Sequence, residues 1–329
     1  MAYTTIDNPT IYFRTKLYTG NGSDGQVITY DESENMTPNF VWIKERNATS
    51  QNKLIDSVRG ADKAMSSSNI TADDTFQYFA DFDDANGFTI GSTNGATNQN
   101  NNTFASWNWK ELAGVFDIVS FTGNGTARTI AHNLGVVPTM YIVKNRDTVD
   151  LQWRVYHKSF GATKHFALDN IQVVGDAASV FNDTEPTSSV FSVGTDDAAN
   201  KNTDNLICYL FADSSMSKMG SYSGSGNADG PFIHTKFKPA FIMIKRTDAE
   251  NDWLIQDSKR YPSNQSVAKV LKANSAVVEG DTANLDILSN GFKLRNTTTN
   301  INVSGSTYIY MCFAEQPFVT STGVPATAR

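Results

Sequence analysis

PNFVWIKER (Pro38–Arg46), PTMYIVKNR (Pro138–Arg146) and PAFIMIKRT (Pro239–Thr247) share one pattern: a proline, an apolar run, then a lysine at Lys44, Lys144 or Lys245. Proline cannot donate to a sheet ladder, so it suits the first residue of a strand. A short run that is apolar on both faces fits a strand covered on both sides. The pattern therefore predicts three equivalent buried strands.

Upstream of each run lies a glycine turn, YTGNG from Tyr18, FTGNG from Phe121 and YSGSG from Tyr222. Downstream come NGFTIGS, SVFSVGT and NGFKLRN, which place Phe88, Phe191 and Phe292 in register, and then the aromatic closings FASWNWKE, ICYLFADS and YIYMCFAE. Matched blocks in fixed order, at a period of roughly a hundred residues, are the signature of an internal repeat. The reading is an all-β chain of three tandem antiparallel β-sandwich-like repeats, at residues 18–114, 115–220 and 221–329, with residues 1–17 as an amino-terminal arm. The copies differ most at 47–80, 147–185 and 247–287, which are read as loops. Asn-Gly pairs at Asn86 and Asn290 mark tight turns, since both residues tolerate positive φ.

The 329 residues are 40% hydrophobic and 11% aromatic, enough to build cores. A net charge of -7 repels a phosphate backbone and argues against nucleic acid as a partner. No run approaches the length that spans a bilayer, and the first residues lack a secretory leader, so the expectation is a protein assembled in a cytoplasm without membrane insertion. Cys208 and Cys312 lie inside apolar runs and read as core residues.

No catalytic signature stands out in the sequence. There is no His-Glu-x-x-His and no Gly-x-Ser-x-Gly, and the glycines at Gly123 and Gly125 precede a strand rather than a helix, unlike a phosphate loop. Asp81, Asp83 and Asp84 lack the offsets of a calcium loop and read as surface. His132 and His234 precede the buried strands and read as turn-bonding histidines, while Trp153 and Trp253 read as core. The expectation is a protein that is not an enzyme and holds no metal or cofactor. The amide-rich stretches Thr93–Thr103, Thr195–Asn205 and Asn296–Ser306 align as loop tips. Their Asn98, Asn100, Asn200, Asn202, Asn300 and Asn302 are the candidate binding residues, because short amides match sugar hydroxyls.

Taken together, YTTIDNPTIYFRTKLYTGNG, DSVRGADK, HNLGVVPTMYIVKNR, WRVYH, LSNGFKLRN and YIYMCFAEQPF resemble a repeat domain of virion proteins of marine tailed bacteriophages, especially tail-fibre-like proteins of phages that infect cyanobacteria. The resemblance implies a structural virion protein, a tail fibre or receptor-binding component, with a capsid decoration or head fibre as the alternative. It also implies a homotrimer and a host surface receptor such as a glycan. It supplies no site residues. The arm carries Ile6, Ile11, Tyr12 and Phe13 and cannot build a core alone. It is therefore expected to bury them on another virion protein, leaving the third unit outward.

Overall fold

The computed structural model of the chain describes residues 4–75, 79, 81–82, 84–91, 95–264, 268–281 and 284–326. The fold is all-β and its sheets are antiparallel. In the first segment a four-stranded sheet runs Phe13–Thr19, Thr103–Trp109, Phe40–Glu45, Lys53–Asp56 in spatial order. The second uses Phe116–Thr122, Asn205–Phe211, Met140–Asn145, Arg154–His157, then adds Lys164–Ala167 and Gly175–Asp176. The third uses Ser217–Ser223, Thr307–Pro317, Phe237–Arg246, Trp253–Asp257, then Leu271–Lys272. First, last, third and fourth strands thus lie side by side in every segment.

A small sheet covers one face of each large one: Gln26–Thr29 with Gly87–Ile90, Arg128–Ala131 with Val190–Val193, and Phe232–His234 with Gly291–Leu294 and Leu285–Leu288. Side chains alternate across a strand, and here both sets are apolar for a reason. Val41, Ile43 and Phe104 meet Ile28 and Phe88 of the small sheet. Their neighbours Phe40, Trp42, Trp107 and Trp109 turn the other way, into a core shared with Ile142, Tyr209 and Phe211 of the second segment and Phe241, Met311 and Phe313 of the third. At its middle Trp109, Phe211 and Phe313 form a triangle, with ring centroids 6.4, 5.6 and 6.0 Å apart, within the range of favourable edge-to-face contacts.

The segments close into a ring. Main-chain amides of Asp73, Val174 and Glu279 donate to the carbonyls of Arg146, Thr247 and Arg46 at 2.8, 3.1 and 2.8 Å, so the first segment holds the second, the second the third, and the third the first. Reciprocally, the amides of Ser50, Asp150 and Asn251 donate to Ala276, Ile70 and Ile171, each at 2.9 Å. Side chains follow the same cycle. Asn52 Nδ2 donates to Ala273 O, Trp153 Nε1 to Ser66 O and Trp253 Nε1 to Ala167 O, at 3.1, 3.0 and 2.9 Å. Lys44, Lys144 and Lys245 are fully buried beside these seams. Lys44 Nζ reaches Ala276 O at 3.1 Å, Lys245 Nζ reaches Ile171 O at 3.2 Å and Lys144 Nζ reaches Leu151 O at 2.6 Å. With carbonyls in place of carboxylates, burial pushes each ammonium down to about 8.

Three expectations are corrected. The arm expected at 1–17 is not separate over its described residues 4–17, because Phe13–Thr19 is the first strand of the first sheet and Phe13 sits 5.0 Å from both Trp109 and Phe313. Ile6 and Tyr12 also pack on the shared core, so their burial needs no other protein. The boundaries at 18 and 221 therefore cut the opening strands Phe13–Thr19 and Ser217–Ser223. Nor does the third segment stand outward at the end of a row, since it closes on the first. Finally, the divergent stretches are not simple loops: they supply the added edge strands and the seams.

Candidate functional site

The glycine turns are built from two requirements. At Gly20, Gly123 and Gly224 an added Cβ would lie 2.4, 2.0 and 2.2 Å from the carbonyl oxygens of Gln99, Lys201 and Val303, so nothing larger fits. At Gly22, Gly125 and Gly226 φ is +69, +69 and +66°, the left-handed region where glycine is at ease.

What presses on each turn is an asparagine from the amide-rich stretch. Asn98 Oδ1 accepts from the amides of Asn21 and Gly22, Asn200 Oδ1 from Asn124, and Asn302 Oδ1 from Ser225, at 3.0, 3.3, 3.1 and 2.7 Å. Their Nδ2 atoms donate to Ser23 and Gly91, to Thr126 and Gly194, and to Asn227 and Asn296. All three side chains are fully buried. Their donors and acceptors are satisfied internally, as buried amides require, so Asn98, Asn200 and Asn302 clamp the turn and do not face a ligand.

Asn100 and Asn202 are exposed beside the turns, and Asn300 is half-buried. In the third segment the residue that packs on the turn glycine, as Asn100 does on Gly22, is Ser304, so Asn300 does not match the other two. Thr93 and Asn94 at the start of the first tip, and Asp83 of the acidic group, lie outside the described residues.

Sequence reasoning missed a groove in the first segment. It has a volume of about 480 Å³ and lies between the loop after Phe40–Glu45 and the turn at Gly95–Asn98, lined by Glu45, Thr49, Gln51, Lys53, Gln99 and Asn102 among others. That volume is in the range of small-ligand sites. Glu45 accepts from Asn102 Nδ2, and Gln51 Oε1 accepts from Ser66 at 3.3 Å and from Ser68. The same region of the second segment is spanned by polar contacts. Arg154 NH2 meets Asp196 at 2.9 Å, and Lys201 Nζ meets Thr148 at 2.8 Å. Lys53 begins its strand as Arg154 does, but turns away to Asp74 at 3.3 Å. Setting Lys53 against Arg154 is the one signal in the sequence that could have pointed here.

His234 is exposed rather than fixed in a turn, while most of the other candidates are structural. His132 Nε2 lies 3.2 Å from Thr187 O and its Nδ1 accepts from Leu134 N at 3.2 Å, which fixes a turn. Trp153 and Trp253 are buried at the seams. Cys208 and Cys312 are free and buried, and burial pushes both thiols up. Asp84 accepts from Thr89 Oγ1 at 2.5 Å. Among the described residues no three His, Cys, Asp or Glu side chains gather as metal ligands, and no helix is long and apolar enough to cross a membrane.

The chain belongs to the family described as a domain of unknown function, DUF7483, whose model matches residues 8–317 and so runs through all three segments. No curated protein matches it.

Proposed function

We propose that this member of the family is a structural and adhesive protein of a tailed phage particle, a tail-fibre or receptor-binding component made of three copies of one unit of roughly a hundred residues. The observation that carries the reading is a closed body that holds its polar glycine turns rigidly and has a polar groove beside the first of them. Rigid scaffolds with polar loops suit recognition of a host surface, and a hydroxyl-rich glycan matches the amides and carboxylate of the groove. Single sites of that kind are weak and gain strength by display in many copies, as a homotrimer on a particle would provide. No catalytic step is assigned.

Capsid decoration is the second reading. It is favoured by one observation, that Ile6, Tyr12 and Phe13 are folded onto the chain's own core. Antibody labelling of particles separates the two, since a tail component is marked on the tail and a decoration on the head. Purified protein should adsorb saturably to host cells and compete with infection. Absence of both effects would remove the adhesive role. Light scattering reads the oligomer: a homotrimer has three times the 36.1 kDa of one chain.

A further inference from the structure

A second cleft, of about 400 Å³, opens near the two ends of the chain between Thr4, Ser215, His234, Lys236, Pro317 and Phe318. Its wall is mainly apolar, and Phe318 stays 42% exposed against it. A histidine and a lysine line the same cleft. His234 and Lys236 are exposed, and among the described residues neither has a carboxylate partner. The nearby Glu315 is taken by Lys238 at 3.4 Å.

Lys236 carries a second, independent mark. Its φ is +75°, the left-handed region that disfavours any residue with a Cβ. In the second segment the turn between His132 and the long strand is made by Gly135, at φ +74°. A lysine kept where glycine would relax the backbone is a local strain, and strain retained beside a cavity points to use of the side chain.

The geometry points to a binding site for a small organic acid, a carboxylate carried on an apolar body about the size of one aromatic ring. The ring would lie on Phe318 and Pro317 while the carboxylate meets the Lys236 ammonium, with His234 beside it. The inference does not depend on the virion reading.

The test is calorimetric titration of the full chain with 3-phenylpropionate, alongside 3-phenylpropanol, which lacks the charge, and acetate, which lacks the ring. Saturable binding of 3-phenylpropionate is expected, with the alcohol at least tenfold weaker and acetate undetected. Lys236→Gly should weaken binding at least tenfold while raising the melting temperature, a pairing that a merely structural lysine would not give. His234→Gln should weaken it severalfold. Equal binding of the alcohol, full binding by Lys236→Gly, or no binding of 3-phenylpropionate by the native chain would each overturn the assignment.

Discussion

The fourth strand ends differently in the second segment than in the other two. In the first, Asp56 is fully buried and its Oδ2 meets Arg59 Nε at 2.5 Å, and in the third, Asp257 meets Arg260 at 2.6 Å. Each aspartate also accepts from the last strand of another segment, Asp56 from Tyr209 Oη at 2.7 Å and Asp257 from Trp107 Nε1 at 3.0 Å. In the second segment the same place holds His157, followed by Phe160, and the strand that reaches it offers the Tyr310 main chain. Burial pushes His157 down to about 4, against a weaker opposing pull from Tyr310 and Asp213, so it is neutral at ordinary pH. A buried charge has been removed here together with its counter-ion. The lesson is that the ring tolerates either a complete ion pair or none.

The largest expected effect comes from breaking that rule. Asp56→Ala strips the buried Arg59 Nε and Tyr209 Oη of their shared carboxylate and leaves Arg59 a single carboxylate contact, with Asp73 at 2.8 Å, and should cost about 3–4 kcal/mol in urea unfolding. The double change Asp56→His with Arg59→Phe, which copies the second segment, should recover a good part of that loss. If the single and double variants are equally unstable, the comparison fails.

Next is acid sensitivity. His157 titrates near 4 when folded against about 6.5 when unfolded, so the unfolded chain binds more protons between those values. Stability is full above pH 6.5 and falls by about 3 kcal/mol as pH drops towards 4. His157→Gln should remove that part of the slope, which pH-dependent denaturation curves will read.

The three seam lysines, where the segments agree, give a slope of the same sign at alkaline pH. Folded values of about 8 lie below the unfolded value, so the unfolded chain again binds more protons and stability rises as pH climbs from about 8 towards 10.4. Lys44→Met should flatten the rise by about 1–2 kcal/mol. The smallest effect concerns one turn. Thr203 has φ +70° where the other segments place Asn101 and Gly305 at +63 and +74°. Thr203→Gly should raise stability by about 1 kcal/mol, and Asn101→Gly by less, read as shifts in melting temperature.

Much of this was legible beforehand. The all-β character follows from β-branched and aromatic runs punctuated by glycine and proline, and the strands that carry Lys44, Lys144 and Lys245 do lie third in their segments' chain order and third across their sheets. Ring closure was not legible, because its contacts come from stretches such as Ile70–Asp73 and Ala276–Glu279, where the segments diverge and alignment has least to hold. The asparagines were misplaced for a different reason. Polarity reads as exposure, yet Asn98 is buried by a turn more than seventy residues earlier in the chain, and only the intolerance of Gly20 for a side chain hints at that approach.

The central claim is that three segments fold as one closed body around a shared aromatic core. Scanning calorimetry of the intact chain, with and without Asn52→Ala, tests it most directly, because Asn52 bonds three carbonyls of the third segment, those of Lys272, Ala273 and Ser275. The account predicts one transition whose calorimetric and van't Hoff enthalpies agree, and which the variant shifts downward as a whole. Separate transitions, with Asn52→Ala moving only one of them, would contradict it.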